Sequence, residues 1–345
     1  MSFRVHHHIL RFHKPAVTSR DVLVDRDVYY LSMDSEDGAH RGVGECAPIW
    51  GLSPESKPEV ERALANWSSL LENPAALGST LNKASSLRFA LETAIRDLSN
   101  GGGLNPFTVD LSRSIPINGL VWMSDAPSML AECRAKVEAG FTTIKFKVGA
   151  LDFEEELALL RKVRSEFSEH DLELRLDANG AFTALNALDR LDAFSSFRIH
   201  SIEQPLRAGQ HETMARLVEK TPIAIALDEE LIGVHDVKAK QQLLETIKPH
   251  FLVLKPTLHG SFSGCDEWIS LAEERGIGWW ATSALESNIG LNAIAQWLLT
   301  KDIIMPQGLG TGALYTNNIP SPWVVEKGML RFDANLRWEL KHVQV

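Results

Sequence analysis

Five short apolar runs decide the reading of this chain: TIKFK at 143–147, LELRL at 172–176, IHSIE at 199–203, IAIAL at 223–227 and FLVLK at 251–255. Each is short enough for a buried strand, and amphipathic segments with helical spacing separate them. Those segments are Phe153 to Phe167, Ala187 to Phe194, His211 to Val218 and Val237 to Ile247. The same rhythm extends outward. Upstream lie a run at Ile115 to Asn118 and a helix at Met129 to Glu138, followed by Gly140 where a helix C-terminus favours glycine. Downstream come a helix at Asp266 to Arg275, a run at Gly278 to Thr282, a helix at Leu291 to Leu299 and a weaker eighth run near Asp302 to Pro306. Repeated strand–helix units build parallel sheet, and eight of them predict a closed (β/α)8-type barrel. The alternative, a doubly wound open sheet, usually carries a glycine-rich turn after its first strand. No GxGxxG or GxxxxGK[ST] stands here.

The first hundred residues have a different texture. Phe3 to Phe12 and Val22 to Met33 read as strands, and Gly38 to Glu45 as a turn leading into a third. The triple His6-His7-His8 falls inside the alternation Phe3, Val5, His7, Ile9, which makes it part of the first strand. Cys46 to Ser56 is a Pro/Gly-punctuated loop that carries Trp50, either as a lid contact or as an anchor between domains. Lys57 to Leu98 has a helical pattern. Residues 1–108 are therefore expected to form an α+β domain capping the barrel of residues 109–319. The tail, 320–345, is expected to return to the first domain.

The chain has 345 residues, 44% of them apolar, and a formal net charge of −10. That charge argues against a nucleic-acid partner. No stretch approaches the roughly 20 apolar residues that span a bilayer, so no membrane partner is expected. Cys46, Cys133 and Cys265 stand far apart, without CxxC spacing. They fit a reduced, cytoplasmic protein better than a disulfide scaffold. Nothing points to an obligate protein partner.

Barrel chemistry sits where strands finish. Lys145 and Lys147 end one predicted strand, and Asp177 with Asn179 the next. Glu203 ends a third, Asp228 and Glu229 a fourth, and Lys255 a fifth. The intervals from Asp177 to Glu203, Asp228 and Lys255 are 26, 25 and 27 residues, one unit each. Three carboxylates on adjacent strand ends would converge, and their like charges would raise one another's pKa values unless a cation lay between them. With oxygen donors only, Mg²⁺ is the expected cofactor and Mn²⁺ the ion expected to substitute for it. A lysine beside a cation and a second ammonium has a lowered pKa, which suits a base that removes a proton α to a carboxylate. Lys147 and Lys255 would flank the ion, and Lys145, on the same side of its strand as Lys147, would supply the second charge or orient a ligand.

The motifs KFK (145–147), DAN (177–179), IEQP (202–205), LDE (227–229) and LKP (254–256) resemble the enolase superfamily, in its muconate-lactonising subgroup. The resemblance covers essentially the whole chain. The longer stretches VLKPTLHGSFSGCDEWI, TSALESNIGLNAIAQW and QGLGTGALYTNNIPSP resemble the subgroup's dehydratases. It implies Asp177, Glu203 and Asp228 as Mg²⁺ ligands for a small carboxylate substrate, 2-succinyl-6-hydroxy-2,4-cyclohexadiene-1-carboxylate. It further implies that Lys147 takes the α-proton and returns it to the departing hydroxyl in a syn elimination, with Lys255 opposite and Asn179, Glu229 and Lys145 in support. Selectivity is expected from Ser283, Glu286, Ser287 and Asn288, where a helix N-terminus would meet the succinyl carboxylate. Gly310, in the glycine-rich 308–312 loop, would let backbone approach the ligand. The same lysine pair would also serve an N-acylamino acid racemase or a dipeptide epimerase. An epimerase is expected to carry an acidic pair after its eighth strand, where this chain has GLGTG. A muconate-type cycloisomerase is a weaker alternative. A non-catalytic barrel scaffold would show a broken carboxylate triad or a missing lysine, and neither is broken.

Overall fold

The computed structural model describes residues 2–17 and 22–340. The N-terminal domain opens with an antiparallel sheet of β1 (Phe3–Val17), β2 (Val22–Asp34) and β3 (Arg41–Cys46), in that order. His6, His7 and His8 lie within β1, opposite Tyr30, Tyr29 and Val28. The helical stretch after the sheet is broken into α1 (Lys57–Ala65), α2 (Trp67–Leu71), α3 (Pro74–Leu81) and α4 (Ser85–Ser99). Pro74 enforces one of these breaks, because it lacks the N–H that would continue the preceding turn and is at home at the start of a new helix. The turn-rich stretch before Val22, which the capping domain is expected to bring to the substrate, is strand as far as Val17 and otherwise falls on residues 18–21, outside the described residues.

The sequence continues through β4 (Ile115–Pro116), β5 (Gly119–Val121), α5 (Ala126–Glu138), β6 (Thr143–Lys147), α6 (Phe153–Glu166), β7 (Glu173–Asp177), α7 (Ala187–Ser195), β8 (Ile199–Glu203) and α8 (His211–Lys220). It ends with β9 (Ala224–Leu227), α9 (Val237–Ile247), β10 (Phe251–Leu254), α10 (Ser261–Glu273), β11 (Gly278–Ala281), α11 (Asn288–Leu299), β12 (Trp323–Glu326) and β13 (Met329–Phe332). β5 to β11 form one parallel sheet in chain order. Its edges are joined by residues 307–308. Asn118 N–H donates to Gln307 O and Gln307 N–H to Pro116 O, while Gly308 N–H donates to Ala281 O. Burial of the inter-layer surface is extensive, from Ile144, Phe146, Leu174, Leu176, Ile202 and Leu254 of the strands to Leu160, Leu191, Trp268 and Trp297 of the helices.

Two expected elements shift. The eighth run, placed at Asp302 to Pro306, is not a strand, and its Ile304 is 91% exposed. Closure falls on Gln307–Gly308 instead. A Cβ on Gly308 would stand 2.1 Å from Thr282 Oγ1, so only glycine lets this segment lie against β11. The first run, Ile115 to Asn118, is not the barrel's first strand: β4 within it pairs with β13, and β5, just beyond it, enters the barrel. The tail thus forms a hairpin, β12–β13, on the barrel side. Only beyond it do Trp338 and Leu340 reach the apolar cluster of Leu10, Phe12, Val28 and Tyr30 in the N-terminal domain. Among the described residues no helix is long and apolar enough to cross a membrane.

Candidate active site

Parallel pairing sets the site. Lys147, Asp177 and Glu203 are Cα partners across β6, β7 and β8, so one row of the sheet carries base, acid and acid at its C-terminal end. Asp228 follows the last residue of β9 and Lys255 the last of β10. All five are buried or nearly so, as are Lys145, Asn179 and Glu229. The alternation of β6 turns Lys145 and Lys147 the same way, as expected.

The carboxylates meet lysines. Lys145 Nζ donates to Glu203 Oε1 and Oε2 at 2.9 and 2.8 Å and stands 3.4 Å from Asp177 Oδ2. Lys147 Nζ donates to Asp177 Oδ2 at 2.6 Å and to Asn179 Oδ1 at 2.7 Å. Lys255 Nζ donates to Asp228 Oδ2. Asn179 Nδ2 donates to Glu229 Oε1 at 3.0 Å, which orients its oxygen toward Lys147. Gln204, whose φ is 37°, turns its side-chain oxygen to the backbone N–H groups of Asp228 and Glu230 and thereby links two strand ends.

The electrostatics follow from these contacts. Burial opposes charge on Asp177, yet the ammonium groups of Lys147 and Lys145 hold its carboxyl well below the usual range. Burial likewise opposes charge on Asp228, and Lys255 overcomes it, so that carboxyl also lies low. Glu203 goes the other way. Burial and the charges of Asp177 and Asp228 push it up, despite Lys145. Burial would lower Lys145, but Glu203 and Asp177 raise it, and Lys255 is raised in the same manner by Asp228. Lys145 is therefore matched by the carboxylates of Glu203 and Asp177.

As the side chains stand, no three His, Cys, Asp or Glu among the described residues enclose an ion, because the ammonium groups lie between the acids. The donor chemistry nonetheless fits a hard divalent cation. The acids offer oxygen only, Asp228 Oδ1 is buried without a hydrogen-bond partner, and the middle acid, Glu203, is the one whose charge is left unfavourable.

Lys145, Lys147, Asp177, Asn179 and Lys255 open on a cavity of about 290 Å³. Ile49 to Leu52 of the N-terminal domain form one wall, Thr282 to Leu285 with Gly308, Gly310, Thr311 and Leu314 another, and Asn118 to Leu120, Trp122, Glu132, Lys136 and Phe141 a third. Trp50 lines this cavity, while its indole N–H donates to Asp27 Oδ2 at 2.8 Å and its ring packs on the N-terminal core. Its anchor thus lies within its own domain. Gly310 also lines the cavity, but a Cβ there would make ordinary contacts at 3.7 Å or more, so glycine is required at Gly308 and not at Gly310. Ser283 is in the wall, its hydroxyl 2.6 Å from that of Thr311.

The helix N-terminus expected to receive a substrate carboxylate is already filled. Glu45, at 0% exposure in β3, accepts Ser287 N–H at 2.7 Å, Ser287 Oγ–H at 2.5 Å and Gly290 N–H at 2.7 Å. Asn288 N–H donates to Asn318 Oδ1 and Ile289 N–H to Ser287 Oγ. Glu286 is buried against Thr257, away from the cavity wall. Ser287 therefore joins the two domains, while Glu286 and Asn288 bond Thr257, Asn318 and Ile319 on the barrel side, and none of the three lines the cavity. The sequence carried no sign of this, because Glu45 and α11 lie over 240 residues apart.

Burial pushes Glu45 up to about 7 against its three donors. An acid that binds its proton more tightly when folded stabilises the fold fully below its unfolded value, near 4.5, and loses that contribution as pH rises through 7. Melting curves from pH 5 to 8 should fall with pH by an amount on the order of 3 kcal/mol that Glu45→Gln removes. Equal slopes in both proteins would exclude Glu45 as the source.

Known proteins resemble this chain over most of its length. Residues 128–340 match the enolase C-terminal domain-like family. The chain is 43% identical to an o-succinylbenzoate synthase of Desulfotalea psychrophila, over 93% of this chain and 96% of that protein. The crystal structure of MenC from the same organism superposes with a TM-score of 0.81 at 37% identity, covering 96% of this chain and all of that one. A dipeptide epimerase from Cytophaga hutchinsonii, complexed with Mg and the dipeptide D-Ala-L-Val, shares the fold at 19% identity and a TM-score of 0.81, over 96% and 92% of the two chains. The architecture is the superfamily's barrel with an N-terminal α+β capping domain, and the chain belongs to the enolase superfamily, among its o-succinylbenzoate synthases.

Proposed function

We propose that this chain dehydrates 2-succinyl-6-hydroxy-2,4-cyclohexadiene-1-carboxylate to o-succinylbenzoate, with Lys147 as the acid–base group. The observation that carries the reading is the pair of amines, Lys147 and Lys255, on one cavity with three carboxylates on the strand ends between them. Asp177, Glu203 and Asp228 would hold Mg²⁺, the ion bound by the Cytophaga epimerase. When bound, the ion supplies positive charge to the substrate carboxylate whose α-carbon loses its proton.

Only as the neutral amine, with its proton given to solvent and its hydrogen bonds to Asp177 and Asn179 released, can Lys147 act on a substrate carbon. It then takes the α-proton, and the electron pair of the C–H bond moves toward the substrate carboxylate. Lys255, from the opposite side, stabilises that negative charge. Lys147 returns the proton to the hydroxyl on the adjacent ring carbon, the C–O bond breaks, and water leaves as the ring becomes aromatic. One residue suffices for both transfers because the hydrogen and the hydroxyl leave from the same face. The apolar walls around Trp50 and Leu285 keep bulk water from the amine.

The test is metal-dependent conversion followed by ultraviolet absorbance, with racemisation of N-succinylamino acids measured beside it. Rapid dehydration that stops on chelation is the expected result. Racemisation without dehydration would overturn the reading and retain only the amine pair.

A further inference from the structure

We infer that Arg26 is a positioning residue that sets the shape of the substrate cavity between the capping domain and the barrel. The inference rests on the reading of the reaction given above.

Arg26 lies on β2, on the face of Val28 and Tyr30, and is 4% exposed. Its guanidinium reaches in two directions. Nη2 donates to the carbonyls of Ala47 and Pro48, at 2.5 and 3.1 Å. Nη1 donates to the carbonyls of Leu285, at 2.7 Å, and Ala284. The first pair belongs to the capping domain and leads directly into Ile49–Leu52, one wall of the cavity. The second pair belongs to the barrel and is itself part of the facing wall. Leu285 has a φ of 63°, a conformation that a branched side chain adopts only under constraint, and its carbonyl also accepts the Tyr315 hydroxyl at 2.6 Å. Leu314, beside that tyrosine, lines the same cavity. Asp27, the next residue along β2, fixes the Trp50 indole from the other side of the strand.

One planar, permanently charged fork thus fixes two main-chain segments that come from different domains and bound the same space. A lysine has the charge but cannot span four carbonyls, because its donors diverge from a single atom. The lysines and acids of the reaction stand on β6 to β10 and make no contact with this clamp. Loosening the clamp should therefore alter how the substrate is held while leaving the proton transfers in place.

The test compares wild type, Arg26→Met and Arg26→Lys for KM and kcat in the dehydration, with Mg²⁺ affinity and melting temperature alongside. Arg26→Met is expected to raise KM about 30-fold and to change kcat less than threefold. Arg26→Lys should recover part of the KM, and Mg²⁺ affinity should stay as in wild type. Loss of folded protein alone would lower the apparent kcat at constant KM, so that outcome, or an unchanged KM, overturns the inference. Should Arg26→Met not fold, Tyr315→Phe loosens the same carbonyl of Leu285, and a KM unchanged in that variant overturns it equally. If wild type fails to dehydrate the substrate, the reaction assignment falls. The same KM comparison on the N-succinylamino acid it racemises then decides Arg26 separately.

Discussion

Lys147→Ala is expected to lower the kcat of dehydration by about 10⁴-fold or more, because it deletes the group that both takes the α-proton and returns it to the hydroxyl. No neighbour can replace it. Lys145 is bound by both oxygens of Glu203, and Lys255 is held by Asp228 three strands away. The change should cost little metal affinity, since Asp177, Glu203 and Asp228 all remain. Asp177 also keeps Lys145 at 3.4 Å, so its buried charge is not left without a counter-ion. Lys147→Arg should be as inactive, because a guanidinium does not give up its proton near neutrality. The check is kcat by ultraviolet absorbance with Mg²⁺ binding measured on the same preparation. A variant that keeps more than a hundredth of wild-type kcat would remove Lys147 from its assigned role.

Glu203→Gln should separate function from stability. The glutamate is the middle of three acids, and burial with the charges of Asp177 and Asp228 makes its ionised form unfavourable in the metal-free protein. Replacing it with an isosteric amide removes that charge but leaves an oxygen to accept from Lys145, whose ammonium keeps Asp177 at 3.4 Å. The melting temperature without metal should stay within a few degrees of wild type. Binding of a divalent cation, in contrast, needs the anion, and Mg²⁺ affinity should fall by roughly 100-fold or more, with activity following it. Titration calorimetry with MgCl₂ alone reads this directly. Wild-type affinity in the variant would exclude Glu203 as a ligand. A large fall in metal-free stability would instead mean that its charge, paired with Lys145, holds the barrel together.

The differences between what the sequence predicts and what the structure shows share one cause. The strand at 302–306 was inferred from its apolar residues, yet a closing strand of two residues needs no apolar run. It needs Gly308, whose missing Cβ makes room for Thr282. Ser287 and Asn288 are expected at the substrate because a helix N-terminus attracts anions, and the group its N–H donors meet is the buried carboxyl of Glu45 from the other domain. Arg26 went unnoticed for the converse reason. Its four acceptors are main-chain carbonyls, which leave no trace in side-chain identity. Only its place on the buried face of β2, in step with Val28 and Tyr30, set it apart.

The amino-acid sequence by itself determined the barrel and the row of charged strand ends. A parallel sheet repeats one unit at a nearly constant interval, and residues at equal heights on neighbouring strands become neighbours whatever the rest of the chain does. Lys147, Asp177 and Glu203 fell into register for that reason. Tertiary structure alone decided which groups pair with which, and what encloses the substrate. The acids are met by lysines, the helix end is capped by Glu45, and two of the cavity walls are tied by Arg26. Those contacts join residues up to 259 positions apart through burial and hydrogen bonds that follow no periodicity.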